Sequence, residues 1–414
     1  MIETENRPER VLIVGVHTDD ISDSKFQTLM KEMKALTTTA NGQYVGEIVQ
    51  NLQRLDQKSA VGSGKLIEIK DKVIEEDIDL VIFLNKLSPS TNMYIENQLE
   101  VKVIDRVQLI LDIFAQRAKS QAGKLQVELA QYQYLLPRII GQGHALSRLA
   151  GGIGTRGPGE TKLEQDRRVI RGRINSIEKE LKLLEDHRER TRARRLSGRE
   201  FTIGLIGYTN AGKSTVLREL TNSDTYVENQ LFATLDPLTR KLTINGHDAF
   251  TITDTVGFID ELPTELIHAF KSTLEEISDV DLLLHVVDAS HPARHMHEDT
   301  VHALMKELEM DHIPTLVVYN KADQLDNNFE PNLHPNVVIS ALKEEGIERL
   351  KQAIWDICIH HAEAFQVEIQ PEESELLALY RQKTLVSSIE FNEENQYYIL
   401  SGYRRRLIDN RNEE

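Results

Sequence analysis

The sequence has one cysteine, Cys358, and no apolar run of the roughly 18 residues that a membrane-spanning helix needs. A single cysteine excludes an internal disulfide and any zinc site built from cysteines. The first residues are acidic and polar, which does not fit a signal peptide. We therefore expect a cytoplasmic protein, and its 414 residues suggest two to four domains.

Positive charge is scarce overall, since the formal net charge is −17. An evenly spread excess of acid would disfavour a nucleic-acid partner. The charge is not even, however, because residues 117–200 contain 19 Lys and Arg against 10 Asp and Glu. A basic middle in an acidic chain predicts a localised contact with a polyanion.

One glycine-rich stretch matches the phosphate-binding pattern G-x-x-x-x-G-K-[ST] at every defined position. The apolar run before it (201–206) predicts a buried strand, and the run after it (215–220) predicts a helix. Backbone N–H groups of such a loop bind phosphates at a helix N-terminus. The sequence therefore predicts a nucleoside triphosphate site. Its residues are Gly207, Tyr208, Thr209, Asn210, Ala211, Gly212, Lys213, Ser214 and Thr215.

Three further stretches predict that the triphosphate is GTP. Asp254 ends a strand and is expected to hold Mg2+ through water, while the Gly257 N–H can point at the γ-phosphate. The Asp323 carboxylate can accept both N1–H and the exocyclic amine of guanine, whereas adenine would leave it unpaired. Residues 340–342 can offer a backbone donor to guanine O6. These predicted contacts are Asp254, Thr255, Val256, Gly257, Asn320, Lys321, Ala322, Asp323, Ser340, Ala341 and Leu342.

Alternating strand and helix patterns predict a multidomain α/β protein. We expect an N-terminal α/β domain (1–107), an antiparallel helical hairpin or coiled coil (108–199), a nucleotide domain with a doubly wound sheet (200–363) and a small α+β C-terminal domain (364–414). The hairpin is predicted from two apolar seams at heptad spacing. The first contains Leu111, Ala115, Ala118, Ala122, Leu125, Leu129, Tyr132 and Leu136, and the second contains Leu163, Ile170, Ile174, Ile177, Leu181 and Leu184.

The two seams are joined by a predicted irregular connector, 137–162, which is rich in glycine and cations such as Arg138 and Arg156. One interpretation is a loop without a role, and the favoured one is a probe that becomes ordered on RNA phosphates. A second ambiguous stretch is Gly62 to Lys65, which heads a helix. It is either a plain helix start or an anion site.

Residues 201–361 resemble the Ras-like fold of P-loop GTPases in the order and spacing of four motifs. The resemblance identifies a first switch with Phe232, Ala233, Thr234, Leu235, Asp236 and Pro237. It implies that Thr234 binds Mg2+ beside Ser214, with Thr239 as the competing candidate. The residues expected to act in hydrolysis are Lys213, Thr234, Gly257 and Asn210.

Three positions depart from the Ras pattern. Phe258 replaces the glutamine that positions water, which implies slow hydrolysis that a partner accelerates. Asn210 occupies the position at which related enzymes hold potassium against the phosphates, although it can equally support only the loop. Leu342 replaces the lysine that many GTPases have after Ser-Ala.

The whole arrangement, with Gly157-Pro158-Gly159-Glu160 in the connector and Asp-Thr-Val-Gly-Phe in the nucleotide domain, closely resembles the bacterial HflX family. That resemblance implies a ribosome-associated GTPase that binds the large ribosomal subunit and its rRNA, through residues 137–199 in this chain. It also implies that stalled or idle ribosomes are split in the GTP-bound state. The alternatives are an RNA-maturation or signalling GTPase and an ATP-dependent RNA-remodelling protein that uses the N-terminal domain.

Overall fold

The structure is a computed structural model that describes most of the chain as two compact units. The described residues are 7–147, 158–196, 200–222, 231–232, 238–254, 257–259, 277–278, 280–325, 329–393 and 396–405, with side chains described outside 139–147, 158–163 and 186–196. One unit extends to Leu184 and the other begins at Glu185. Within the described residues, every helix is too short or too polar to cross a membrane.

The first unit begins with strands and helices in strict alternation. They are β1 (Arg10–His17), α1 (Asp23–Thr39), β2 (Gln43–Asn51), α2 (Ser63–Glu75), β3 (Leu80–Phe83), α3 (Pro89–Leu99) and β4 (Lys102–Asp105). The strands are all parallel and lie in the order β2-β1-β3-β4. The predicted small parallel α/β domain is confirmed.

Buried aliphatic residues and helix caps explain these elements. In β1 the residues from Val11 to Val16 are all buried, as expected for a parallel strand covered on both faces. Ser22 and Ser88 accept hydrogen bonds from backbone N–H groups in the first turns of α1 and α3. Asp105 does the same for the next helix, α4 (Arg106–Arg117). Each cap satisfies a donor that has no partner inside its helix.

The first seam of the hairpin lies on two helices rather than one. α4 ends at Arg117, and α5 extends over Gln121–Ser147. Between them the Ser120 hydroxyl accepts a 2.9 Å hydrogen bond from the Gly123 N–H, which caps α5. The prediction of one continuous seam from Leu111 was therefore wrong. The spacing of apolar residues does not reveal a serine that caps a second helix.

The later part of the hairpin is confirmed by packing between α5 and α6 (Pro158–Leu196). Apolar side chains of both helices form one cluster. Its members are Leu125, Leu129, Tyr132, Ile174, Ile177, Leu181 and Leu184. Arg173 of α6 adds two 2.9 Å hydrogen bonds to the Glu128 carboxylate of α5. Apolar packing and this bidentate pair together fix how the two helices lie against each other.

The irregular connector predicted at 137–162 is shorter in the structure. α5 continues through Pro137 to Ser147, and α6 begins at Pro158, while 148–157 lie outside the described residues. The glycine-rich connector was predicted to begin at Pro137, but α5 continues through it, although a proline inside a helix removes one backbone hydrogen bond. Contacts of the next residue, Arg138, explain why α5 continues.

Arg138 is an internal anchor of the first unit. Its guanidinium donates to the Leu87 carbonyl at 3.1 Å and to the Asp105 carboxylate at 3.0 Å. It also lies 3.4 Å from the centre of the Tyr134 ring, and the Tyr134 hydroxyl donates to Asp105 at 2.6 Å. These contacts correct the prediction that Arg138 is one of the cations free to bind RNA.

The second unit contains the predicted doubly wound sheet. Its elements are β5 (Phe201–Gly207), α7 (Lys213–Thr221), β6 (Leu238–Ile244), β7 (His247–Asp254), β8 (Leu282–Asp288), α8 (Arg294–Glu307), β9 (Thr315–Asn320), β10 (Asn336–Val338) and α9 (Glu344–His361). The strand order is β10-β9-β8-β5-β7-β6, and β6 alone among them pairs antiparallel, as expected. The amphipathic pattern of 265–277 predicts a further helix, which lies outside the described residues except at Ile277.

The tail of the chain adds a small antiparallel sheet. Its elements are β11 (Glu363–Ile369), α10 (Ser374–Lys383), β12 (Leu385–Asn392) and β13 (Tyr397–Arg404), with the strand order β11-β13-β12. A tail of about fifty residues is short for a core of its own and is expected to pack on its neighbour. Leu385 is buried in the core of the nucleotide sheet, which confirms this packing. Arg404 and Arg405 pair with Glu363 and Asp281, which gives both arginines a structural role.

Candidate nucleotide site

The phosphate-binding loop joins β5 to α7. Its backbone is left-handed at Asn210 (φ 60°) and at Gly212 (φ 98°). At Gly212 an added Cβ would lie 2.3 Å from Nδ2 of Asn320, so glycine is required both by conformation and by space. The predicted residues from Gly207 to Thr215 therefore form one strand–loop–helix unit, which is the context that the pattern requires.

Lys213 folds back over this loop. Its ammonium group donates 2.9 Å hydrogen bonds to the carbonyls of Gly207 and Tyr208, and the residue is buried. Burial lowers the pKa of Lys213 to about 8, although the Asp254 carboxylate acts in the opposite direction. A phosphate beside the ammonium group would favour its charged form. The loop thus holds a cation that gains from binding an anion.

Ser214 and Asp254 bring two oxygen donors together beside the loop. The Ser214 hydroxyl donates to the Asp254 carboxylate at 2.8 Å. Asp254 is the last residue of β7 and is 1% exposed. Hydroxyl and carboxylate oxygens are ligands that Mg2+ prefers, so these residues fit the ion that the sequence predicts.

The chain after β7 returns to the loop at Gly257 and Phe258. The Thr209 N–H donates to the Phe258 carbonyl at 2.6 Å, and the Phe258 N–H donates to the Gly207 carbonyl at 3.1 Å. The Phe258 side chain is 1% exposed. The position that carries the water-orienting glutamine in Ras-like enzymes is therefore occupied by a buried ring without a hydrogen-bonding group.

Asn320, at the end of β9, connects three loops. Its amide group donates to the Ala211 carbonyl at 3.1 Å, and its carbonyl oxygen accepts from the Ala341 N–H at 2.9 Å. The residue is buried. An amide has two N–H donors, so this arrangement leaves one for a bound base. Besides the predicted base contact, Asn320 has a bracing role that the sequence did not indicate.

Asp323 lies at the same edge of the sheet and is exposed. The Ser340 hydroxyl donates to its carboxylate at 2.5 Å, and this hydrogen bond lowers the pKa of Asp323. The carboxylate is therefore charged at neutral pH and oriented by Ser340. Ala322 begins the short 3-10 helix that carries Asp323, and Leu342, beyond Ser340, is 72% exposed.

Lys321 has a partner that the sequence analysis missed. Its ammonium group donates to the Asp288 carboxylate at 2.6 Å. A signal was available, because Asp288 is an acidic residue at the end of the buried strand β8, next to β9 in the sheet. A second missed feature had no local signal. The Tyr208 ring stacks on His297 of α8, with ring centres 3.7 Å apart and planes at 10°.

Part of the predicted site falls outside the described residues. This part comprises Ala233, Thr234, Leu235, Asp236, Thr255 and Val256. Phe232 is described, and its side chain is buried. Thr239, the competing candidate for the magnesium ligand, lies on β6 with its hydroxyl 2.9 Å from that of Thr253.

The second unit is a P-loop GTPase with a Ras-like fold. Lys213 and its loop provide the triphosphate site on a doubly wound sheet, at the carboxyl ends of the parallel strands where such sheets bind ligands. The oriented, charged Asp323 complements the two donors of a guanine edge.

Comparisons with known proteins identify the family. Three family models match: GTP-binding GTPase N-terminal over 27–115, GTP-binding GTPase Middle Region over 117–195, and 50S ribosome-binding GTPase over 202–321. GTPase HflX of Alkalihalophilus pseudofirmus is 46% identical over 396 residues, covering 95% of this chain and 93% of the relative. GTPase HflX of Escherichia coli (strain K12) is 38% identical over 389 residues, covering 92% and 90%. The chain belongs to the HflX family of GTPases.

A solved structure supports the same fold. The crystal structure of the complex of SsGBP with GDP matches with a TM-score of 0.50 and 24% identity, covering 84% of this chain and 98% of that one. At this identity the likeness shows the fold alone. The protein binds guanine nucleotides and is a GTPase.

Proposed function

We propose that this GTPase binds the large ribosomal subunit and its rRNA and, in the GTP-bound state, promotes the dissociation of stalled or idle ribosomes. The observation that carries the proposal is the basic hairpin. Residues 117–200 have an excess of nine positive charges in an acidic chain, and α6 alone is 39 residues long. The description of the matching model, 50S ribosome-binding GTPase, supports the same partner.

The hairpin is suited to reach into a folded RNA. Its helices are held together by the Leu125 and Ile177 cluster and by the Arg173–Glu128 pair. A helix of 39 residues is about 60 Å long at 1.5 Å per residue. With Arg138 and Arg173 engaged internally, the cations left for rRNA in the proposed interface, 137–199, include Arg148 and Arg156.

The nucleotide would act as the switch through residues around its phosphates. Lys213 would neutralise the β- and γ-phosphates, and the Gly257 N–H would bind the γ-phosphate. Ser214, Thr234 and, through water, Asp254 would hold Mg2+, which would neutralise phosphate charge when bound. Asn320, Asp323 and the backbone of 340–342 would bind guanine. Because the Ala341 N–H is already used by Asn320, Leu342 is the expected backbone donor.

Hydrolysis is expected to be slow without a partner, because Phe258 has no group that can orient water. The ribosome would supply the acceleration. Asn210 is exposed and left-handed, so its side chain is available beside the phosphates, where it would hold K+ as related enzymes do. Exchange of potassium for sodium tests this role, and an unchanged turnover rate would remove it.

The four domains proposed from the sequence serve this function in turn: 1–107 and 108–199 for the ribosome, 200–363 for GTP, and 364–414 as an addition to the nucleotide domain. Matches to the N-terminal and middle-region models support the first two. Because ribosomes are its proposed partner, we expect the protein to act in the cytoplasm.

Sedimentation tests the proposal. Purified ribosomes are incubated with the protein and either a non-hydrolysable GTP analogue or GDP, then separated on a sucrose gradient. We expect free subunits, with the protein on the large one, only with the analogue. Ribosomes that stay intact and retain no protein would contradict the proposal.

A charge variant tests the interface. Arg148→Ser with Arg156→Ser should weaken ribosome binding and reduce its salt dependence while leaving GTP affinity unchanged. The matched control is Lys306→Ser with Arg381→Ser, which removes two exposed cations from α8 and α10. Equal loss in both double variants would point to a non-specific charge effect rather than to the connector.

A further inference from the structure

The phosphate-binding loop contains a buried polar side chain, that of Thr209. Thr209 is 7% exposed, and its hydroxyl oxygen is buried without a hydrogen-bond partner. Its loop neighbours Lys213 and Ser214 both have partners. A buried hydroxyl is normally satisfied, so an unpartnered one inside a ligand loop points to a partner on the ligand.

The surroundings of Thr209 place it where the terminal phosphate is expected. A Cβ added at Gly257 would lie 2.9 Å from Cγ2 of Thr209 and 3.0 Å from Nζ of Lys213. The Thr209 methyl group and the Lys213 ammonium group therefore both face Gly257, and the Thr209 hydroxyl is carried by the same Cβ as that methyl. Gly257 and Lys213 are the two residues whose N–H groups a γ-phosphate would contact.

The position of Thr209 is also fixed. Its backbone N–H is engaged by the Phe258 carbonyl at 2.6 Å, so the hydroxyl is the donor that Thr209 has left for a ligand. The preceding residue, Tyr208, is held by its stack on His297. A group fixed in this way loses little freedom when it acts in a transition state.

Phe258 leaves a chemical role open, since Ras-like enzymes use a glutamine at that position both to accept a hydrogen bond from water and to donate one to phosphate. A hydroxyl has one donor and two acceptor lone pairs, so it can do both. We propose that the Thr209 hydroxyl is a catalytic group that accepts a hydrogen bond from the attacking water and donates one to the γ-phosphate of GTP.

In the reaction the water oxygen bonds to the γ-phosphorus while the bond from phosphorus to the β–γ bridging oxygen breaks. The electron pair of that bond leaves with GDP, and the proton of water ends on inorganic phosphate. Thr209 keeps its own proton and is unchanged at the end. The proposal concerns hydrolysis by the chain itself and does not depend on the ribosome.

Two substitutions test the contributions of the Thr209 hydroxyl and methyl groups separately. Thr209→Val removes the hydroxyl at nearly constant volume, and Thr209→Ser keeps the hydroxyl and removes the methyl. We expect Thr209→Val to lower the single-turnover rate of GTP hydrolysis on the order of 100-fold, at the low end of the loss seen when one transition-state donor is removed. Thr209→Ser should stay within about threefold of the unmodified protein, and GTP affinity should change little in either.

Thr243→Val is the matched control, because it removes an exposed hydroxyl of β6 that bonds to Asp248. Melting temperatures show which variants are folded, and Thr209→Ala replaces Thr209→Val if the latter does not fold. The proposal fails if Thr209→Val hydrolyses GTP at the normal rate. It also fails if Thr209→Ser loses as much activity as Thr209→Val, or if only nucleotide affinity changes.

Discussion

The two parallel sheets of this protein end differently at their carboxyl edges. In the first unit that edge is filled by the chain itself. Asn85 pairs with both the N–H and the carbonyl of Val16, and Asp105 accepts from the Leu87 N–H and the Tyr134 hydroxyl. In the second unit the edge carries loops with the left-handed Gly212 and the buried, unpartnered hydroxyl of Thr209.

The same contrast separates two similar sequences, Gly62-Ser63-Gly64-Lys65 and Gly212-Lys213-Ser214. At the start of α2 the Gly62 N–H already donates to the Gln50 side chain at 2.9 Å, and Lys65 pairs with Glu68 at 2.7 Å. At the start of α7, Lys213 instead folds back over the loop and donates to the carbonyls of Gly207 and Tyr208. A glycine and a lysine at a helix start therefore do not define a phosphate site. A tight turn directly after a buried strand is also needed.

Removing each lysine tests this contrast most strongly. Lys213→Ala should reduce GTP turnover on the order of 1,000-fold, because the cation over the phosphates is lost. Lys65→Ala should leave turnover within about twofold, since it removes only a surface ion pair with Glu68, and such pairs contribute little. Fluorescent-nucleotide binding and phosphate release measure both. A large loss of turnover in Lys65→Ala would mean that the first unit takes part in the reaction.

The next largest effect is expected from a substitution at the predicted guanine-binding residue Asp323. Asp323→Asn should weaken GTP binding about 100-fold, because asparagine can accept only one of the two guanine hydrogen bonds and carries no charge. Xanthosine triphosphate, which has a carbonyl at C2, should then bind better than GTP. Competition titrations measure the ratio, and Asp311→Asn, at an exposed position of the same unit, is the control. An unchanged preference for guanine would exclude Asp323 as the base-reading residue.

Local patterns predicted the elements of both units and the loop from Gly207 to Thr215, because buried strands and the glycine spacing are encoded in adjacent residues. What they missed depends on residues far apart in the chain. Pro137 suggested the end of a helix, but Arg138 anchors α5 to Leu87 and Asp105. Likewise, no periodicity could pair Tyr208 with His297.

The contribution of the hydrogen bonds at the carboxyl edge of the first sheet can be tested by measuring the free energy of unfolding. Tyr134→Phe removes the hydroxyl that donates to the buried Asp105 at 2.6 Å, which should cost about 2 kcal/mol of unfolding free energy. Tyr132→Phe, in the partly buried rim of the α5–α6 cluster, is the control and should cost less than about 0.5 kcal/mol. Chemical denaturation measures both. Equal costs would show that the Asp105 contacts do not hold this edge.

The smallest expected effect is the pH dependence of GTP binding. Burial lowers the pKa of Lys213 from 10.5 to about 8, so the free protein loses this charge as pH rises above 8. Phosphates favour the charged form, so binding takes up a proton there and affinity must fall with rising pH. Between pH 8 and 9 the dissociation constant should rise about fivefold, because the fraction of charged Lys213 in the free protein falls by that factor.

Lys213→Arg separates this effect from titration of the nucleotide, because arginine stays charged throughout that range. In this variant only the titration of the nucleotide should remain. The dissociation constant should therefore rise less steeply with pH than it does in the unmodified protein. Calorimetry in buffers of different ionisation enthalpy should also show proton uptake in the unmodified protein and less in the variant. If the dissociation constant depended on pH equally in the two proteins, Lys213 would have to be charged at pH 9.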